Sequence, residues 1–468
     1  MIKFSLTDYI LVGLYFAIAL YIGLKSKNTE NSKLQYLLAG RTLTLPAFVA
    51  TLVSTFYGGI LGVGEFVYIG GISSWFLYAF PFYIFVFLFA IFFAKKVRES
   101  NFFTIPEKLE KTYGKKVSAF SGLMVFLLIT PAPYIFMLGV LVSLITGIPF
   151  AYSTVFCLII STVFLFKGGL NADVNVNKYE FILMYLGFLV IIPFCISNIA
   201  SLPELFSLLD PKYLSMTGDY SLQYILVWFF IGAWAIVDPS FHQRCYAAKD
   251  EKTARNGVLI SLIFWFIFDT LTTITGLYAI LHFNNLENPV YAYPMLAESV
   301  LPEGIKSIFF IGLIATIMST LHSYVFISGS TMGNDLFPKI FKNRKSDKDK
   351  NLFTQIGLVI TGVISLLIIY LIPSVVSMWY TIGSLVIPAL LISVISSYYN
   401  GLQIKSNFIL TAMIFSFLIS LFSFIYGNVN TLDGKINYLF GIEPMYPGLF
   451  IGIIIFSIGL INKYKFSE

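Results

Sequence analysis

The chain has 468 residues, of which 57% are hydrophobic, 18% aromatic and 12% charged, with a formal net charge of +6. Soluble domains carry about 25% charged residues, so a water-soluble globular fold is excluded. A balance this weakly basic is no nucleic-acid signature, and the three cysteines, Cys157, Cys195 and Cys245, imply no disulfide framework.

The apolar runs are long enough for membrane helices, each of which needs about 20 residues; a β-barrel would show short alternating segments instead. The opening stretch, MIKFSLTDYILVGLYFAIALYIGLKSK, has no small-residue cleavage site, so it reads as a retained first helix over 8–25. The second span, 44–72, is too long for one straight crossing and carries Gly58, Gly59, Gly62 and Gly64 in its middle. Further spans are expected at 74–94, 117–145, 148–166 and 178–198. The seventh, 221–243, contains Gly232 and an Asp238-Pro239 pair. Then come 256–282, 304–334, 353–373, 375–398, 407–426 and 446–462, which makes thirteen.

Of the 30 Lys and Arg residues, only Lys3, Lys212, Lys306 and Lys435 fall in one alternate set of connections; all others fall in the opposite set. Positive residues stay cytoplasmic, which puts the N-terminus outside and the C-terminus inside. Glycine and proline weaken a helix, and unwound backbone inside a membrane is tolerated only where protein encloses it. Spans two and seven are interrupted and lie five apart, the pointer to two inverted five-helix repeats with a site at the midplane. Close helix packing through glycine is the other explanation of such positions.

The segment ATIMSTLHS, Ala315–Ser323, places four hydroxyls, Thr316, Ser319, Thr320 and Ser323, inside span nine. Hard cations take oxygen ligands, and Thr316 lies one helical turn before Ser319 and Thr320. Such hydroxyls also bond back to their own helix or pack helices together.

Five further pieces occur in a fixed order over about 36–400: YLLAGRTLTLP, FTIPEKLEKTYG, KGGLNADVNVNKYEF, HQRCYAAKDEKTARNG and the hydroxyl-rich span nine. With them the chain resembles the sodium:solute symporter family, which includes carriers of proline, pantothenate, sialic acid and galactose. The resemblance implies an all-α integral membrane protein of about thirteen helices. One helix and its loop (1–43) would lead into a five-plus-five inverted-repeat core (44–399), with two helices trailing (400–468). It also implies a sodium site made of the Ser54, Tyr57 and Thr316 carbonyls with the Ser319 and Thr320 hydroxyls.

Some family members hold a second sodium, which needs an aspartate at the start of span six. That position here is Asn177, or Lys178 one residue on, with His322 and Ser323 opposite. One sodium per cycle is therefore expected. His322 is either a packing residue or a proton-sensitive group near the inner vestibule.

The family's solute lies between spans two, three, seven and eleven. Candidate positions here are Phe56, Leu61, Phe80, Trp234, Asp238 and Tyr380, with further aromatics at Tyr57, Tyr78 and Trp379. Each sugar hydroxyl left unpaired in a dry site costs about 1–3 kcal/mol, so a hexose fits poorly. Ring faces suit an apolar or a cationic solute, although packing explains aromatics as well. Three acids within spans, Glu65, Asp238 and Asp269, are functional candidates by burial cost alone. Asp238 would hold a solute cation, accept solute hydroxyls, or pair with Arg244 or His242. Glu65 reads as a solvated outer-vestibule residue or a gate, and Asp269 as an interhelical hydrogen-bond acceptor.

The expected function is sodium-coupled symport of a small organic solute across the plasma (inner) membrane, with the bilayer, solute and sodium as partners, no nucleic acid, and a monomer as an admissible state. Alternatives are a proton-coupled or uncoupled carrier on the same scaffold, with Asp238 or His322 titrating, or a membrane solute sensor. No metal-ligand cluster or nucleophile–base pair argues for an enzyme.

Overall fold

The computed structural model describes residues 2–26, 33–163, 165–340, 347–431 and 436–465. Among these residues the chain is helical, with a single isolated β-bridge, Leu43 to Ala248. The membrane helices are α1 (Leu6–Lys25), α2 (Leu45–Phe56), α3 (Ile60–Gly70), α4 (Phe80–Phe92), α5 (Lys115–Leu128), α6 (Ala132–Thr146), α7 (Phe150–Val163) and α8 (Leu165–Asn198). They continue with α9 (Leu222–Ile231), α10 (Pro239–Ala247), α11 (Glu251–His282), α12 (Ile305–Ser330), α13 (Asp347–Leu371), α14 (Val375–Ser397), α15 (Ser406–Val429) and α16 (Met445–Lys465). Among the described residues, ten helical stretches are long and apolar enough to cross a membrane, and the bent pair α2–α3 makes an eleventh; shorter apolar helices at Phe150–Ile159 and Ile356–Leu371 stand at the remaining two expected positions.

The second span breaks where its glycines lie. α2 and α3 meet at a 56° bend, and Gly58 is needed there because a Cβ would fall 1.9 Å from Thr320 Oγ1. The seventh span breaks twice. α9 stops at Ile231, a short turn covers Trp234–Val237, and Asp238 is extended (φ −70, ψ 119) before Pro239 opens α10. Proline suits that first helical position, where its missing N–H has no partner to lose.

Two boundaries differ from the sequence expectation for one reason. Span six begins at Gly169, where the helix is kinked, not at 178, and span seven runs to Ala247, so Arg244 is a buried membrane residue and not part of a basic loop. The polar stretches NADVNVNKYE and HQRCYAA are helical because their polar side chains pair with each other inside the protein. Hydropathy records their polarity and not their partners.

α8 lies directly against α12. A Cβ on Gly312 would come 2.9 Å from Gly187 Cα, so the two backbones touch at glycine. α1 is capped by Ser5, whose hydroxyl accepts from Asp8 N at 3.3 Å. Asp8 Oδ1 accepts from Gly304 N at 2.9 Å, which ties the leading helix to the start of α12.

Candidate functional site

Oxygens gather where α2 ends. Ser319 Oγ donates to Ser54 O and to Thr316 O, both at 2.8 Å. Thr320 Oγ1 donates to Thr55 O at 2.5 Å and faces Ser54 O at 3.4 Å. Each hydroxyl has one proton and faces two carbonyls, so the cluster is rich in acceptors. Carbonyls at a helix C-terminus lack intrahelical partners, and Tyr57 is the C-cap of α2. Neutral hard oxygens from a broken helix and a neighbouring straight one fit a sodium ion. The Thr316 hydroxyl bonds back to Gly312 O at 2.6 Å, which leaves its carbonyl as the group it offers. The structure thus brings Ser54, Thr316, Ser319 and Thr320 together, with Thr55 as an added member. Tyr57 borders them, but its side chain reaches elsewhere.

One turn further along α12 is a charged cluster. Arg244 and Asp173 are fully buried and form an ion pair, Nη2 to Oδ2, at 2.7 Å. The same Nη2 reaches Ser323 Oγ at 2.8 Å, Thr55 Oγ1 at 3.0 Å and Thr51 Oγ1 at 3.4 Å. Asn177 Nδ2 donates to Thr51 Oγ1 at 2.9 Å and Thr55 Oγ1 at 3.1 Å. Asn177 is buried and Lys178 exposed, so Asn177 is the residue that meets this cluster. The carboxylate here is Asp173, one turn earlier, which sequence reasoning missed because its stretch read as a loop. Glu180 was missed too; it is fully buried and accepts from Tyr15 OH at 2.9 Å.

A third cluster centres on Asp269 of α11. Tyr57 OH donates to its Oδ1 at 2.5 Å and Tyr83 OH to its Oδ2. Tyr57 also meets Thr272 Oγ1 at 3.0 Å. Two cavities adjoin Asp269, sharing Tyr78 and Ala79. One is lined by Phe56, Tyr57, Phe82, Tyr83 and Trp265, the other by Phe66, Ser74, Trp75, Thr273 and Trp379. Tyr78 stacks on Trp379 with ring centres 5.2 Å apart. A carboxylate beside several ring faces, at the level of the break in α2–α3, can hold a cation.

The six expected solute residues do not converge. Phe56 lines one Asp269 cavity. Phe80 is 38% exposed and stacks on Phe76; Phe82, two residues on, is the ring that meets Phe56, at 5.1 Å. Leu61 and Trp234 are buried and line neither cavity. Tyr380 stacks on Tyr224 at 5.2 Å, while its neighbour Trp379 faces the cavity.

Asp238 caps α10: its Oδ1 accepts from Ser240 N at 2.6 Å and Ser240 Oγ at 2.5 Å, and its Oδ2 from Tyr324 OH at 3.0 Å. It pairs with neither Arg244, which holds Asp173, nor His242, whose Nε2 meets Ile236 O at 2.9 Å. Glu65 is buried, not solvated, and accepts from Ser374 Oγ at 2.6 Å, at the N-terminus of α14. Asp269 is the interhelical acceptor expected of it, and also the acid beside the cavities. His322 is buried in α12.

The chain matches the sodium:solute symporter family over residues 36–401. It is 22% identical over 403 residues to the high-affinity choline transporter 1 of Drosophila melanogaster, a match covering 80% of this chain and 63% of that one. The chain therefore spans less than two thirds of that relative's length. It is 23% identical over 390 residues to the sodium/glucose cotransporter of Vibrio parahaemolyticus, covering 73% and 71% of the two chains. Among solved structures, a Na+-coupled sialic acid symporter superimposes with a TM-score of 0.78 at 15% identity, over 99% of this chain and 98% of that one. That likeness carries the fold, an all-α membrane transporter with a five-plus-five inverted-repeat core.

Proposed function

The chain belongs to the sodium:solute symporter family, and from that premise we propose that it imports a small organic solute with one sodium ion by alternating access. Its relatives are transporters and not enzymes. The core over 44–399 does the transport, in a plasma (inner) membrane, with the N-terminus outside and the C-terminus in the cytoplasm.

The observation that carries sodium coupling is the acceptor-rich cluster of Ser54, Thr55, Thr316, Ser319 and Thr320 at the end of α2. Sodium there bridges the broken helix to α12, so it stabilises whichever conformation holds those two together. Solute that prefers the same conformation then binds more tightly with sodium present, and the coupling is reciprocal.

For the solute, the Asp269 cavities favour an organic cation. Rings within reach of a desolvated cation contribute about 0.5–2 kcal/mol each. The sodium/glucose and choline relatives suggest two solute classes by name. The cavity walls favour the second, since they set one carboxylate, Asp269, among the rings of Phe56, Phe66, Trp75, Phe82, Trp265 and Trp379.

The coupling is tested without a solute. The purified protein is melted in NaCl and in KCl at equal ionic strength. Sodium at ten times its dissociation constant adds about 1.4 kcal/mol of stability, so wild type should melt higher in sodium. Ser319→Ala/Thr320→Ala should melt alike in both salts. Identical wild-type curves would remove sodium coupling.

A further inference from the structure

Glu443 stands in the connection before α16, among tyrosines from three parts of the chain. Tyr224 lies near the start of α9 and Tyr380 near the start of α14, while Tyr438 and Tyr446 flank Glu443 in sequence. All four phenols lie within range of its charge. Glu443 Oε2 and Tyr380 OH are buried and face each other without a well-formed hydrogen bond. Buried polar groups are normally paired, and among the described residues no ion pair reaches this carboxylate. A half-buried carboxylate set among ring faces, with no countercharge beside it, suits a cation.

The rings lead inward from there. Tyr380 packs on Tyr224 with ring centres 5.2 Å apart and on Trp228 at 5.8 Å. Trp228 in turn meets Phe66 at 5.1 Å and Tyr78 at 6.0 Å. Phe66 and Tyr78 line a cavity that Asp269 adjoins. Ring contacts are therefore continuous from the Glu443 carboxylate to the Asp269 carboxylate, and the side chains between carry no charge at which a cation would be trapped midway. Tyr446 OH donates to Gln223 O at 2.6 Å, which fixes the Glu443 segment against the start of α9. On the orientation proposed above, Glu443 stands at the outer end of this path.

We propose that Glu443, with Tyr224, Tyr380 and Tyr438, is an outer capture site for an organic ammonium ion, which then passes along the rings to Asp269. The carboxylate supplies long-range attraction. The rings replace water around the cation without fixing it at one place. Glu443 thus acts on arrival and Asp269 on residence. This inference rests on the organic-cation reading above.

The experiment is stopped-flow tryptophan fluorescence of the purified full chain mixed with tetramethylammonium at fixed NaCl. Trp75 and Trp379 line the Asp269 cavity and report arrival there. Glu443→Gln should lower the association rate constant about tenfold and leave dissociation unchanged, whereas Asp269→Asn should act on dissociation. Glu443→Asp, which keeps the charge on a shorter side chain, should retain most of the wild-type association rate. Added KCl screens charge, so it should slow association in wild type and hardly change Glu443→Gln; the wild-type series needs no variant to fold. Equal association in wild type and Glu443→Gln would overturn the capture site, and so would a wild-type rate indifferent to KCl. If tetramethylammonium neither changes wild-type fluorescence nor raises the melting temperature, the organic-cation reading itself falls.

Discussion

On the proposed reading, Asp269 is the residue on which solute choice would turn. Its carboxyl accepts from two tyrosines and faces rings from α2, α4 and α11. Contacts to a charged group contribute about 1.5–3 kcal/mol, which is ~10–100-fold in affinity. Asp269→Asn should weaken binding of a quaternary ammonium probe such as choline by that factor, read as the ligand's shift in melting temperature in sodium buffer. The sodium shift itself should survive; loss of both would mean the variant damaged the break and not the solute site. A second residue, Asp335, lies just past the C-terminal end of α12. Burial raises its pKa to about 7, against the opposing pull of Lys339, Lys33 and the Thr104 hydroxyl, with Glu107 adding to the rise. The folded state therefore binds more protons than the unfolded one between about pH 4 and 7, so stability falls as pH rises through that window. Melting temperature should drop between pH 5 and 8 in wild type, and Asp335→Asn should flatten the curve. The hydroxyl cluster of α12 was legible because two adjacent hydroxyls in an apolar helix are few enough to single out. The Asp173–Arg244 pair was not, because nothing in either polar stretch reveals that the other lies against it. Phe80 stands two residues from Phe82, the ring that lines the cavity, since in an unbroken aromatic run only packing tells which ring turns inward.

At the level of elements, the two broken helices were legible and the lengths of their neighbours were not. Glycines in the second span and Asp-Pro in the seventh disrupt helices by local sterics, so sequence alone carries them. The start of α8 and the end of α10 depend on contacts far away in the chain. The break in α2–α3 makes its own prediction. At Gly58 a methyl group would meet Thr320 Oγ1 at 1.9 Å, and overpacking of this kind costs about 1–3 kcal/mol. Gly58→Ala should lower the melting temperature and remove the difference between sodium and potassium. Gly13→Ala, where nothing lies within 4 Å of the added carbon, should leave both unchanged.

For the whole molecule, the uneven lysine distribution predicts an orientation that labelling can check. Cys157, Cys195 and Cys245 are all buried, so introduced cysteines can be labelled over a low background. Lys212 and Lys249 have exposed side chains, 56% and 59% accessible. A membrane-impermeant thiol reagent should label Lys212→Cys on intact cells and Lys249→Cys only after permeabilisation; the reverse pattern would invert the topology. The buried guanidinium of Arg244 then has an electrical consequence. A charge crossing the full membrane potential gains about 2.3 kcal/mol per 100 mV, but this one is fixed to its helix and matched by Asp173 at 2.7 Å. The pair carries no net charge, so its movement contributes nothing to the current, and any voltage dependence of transport would belong to the solute and ion alone.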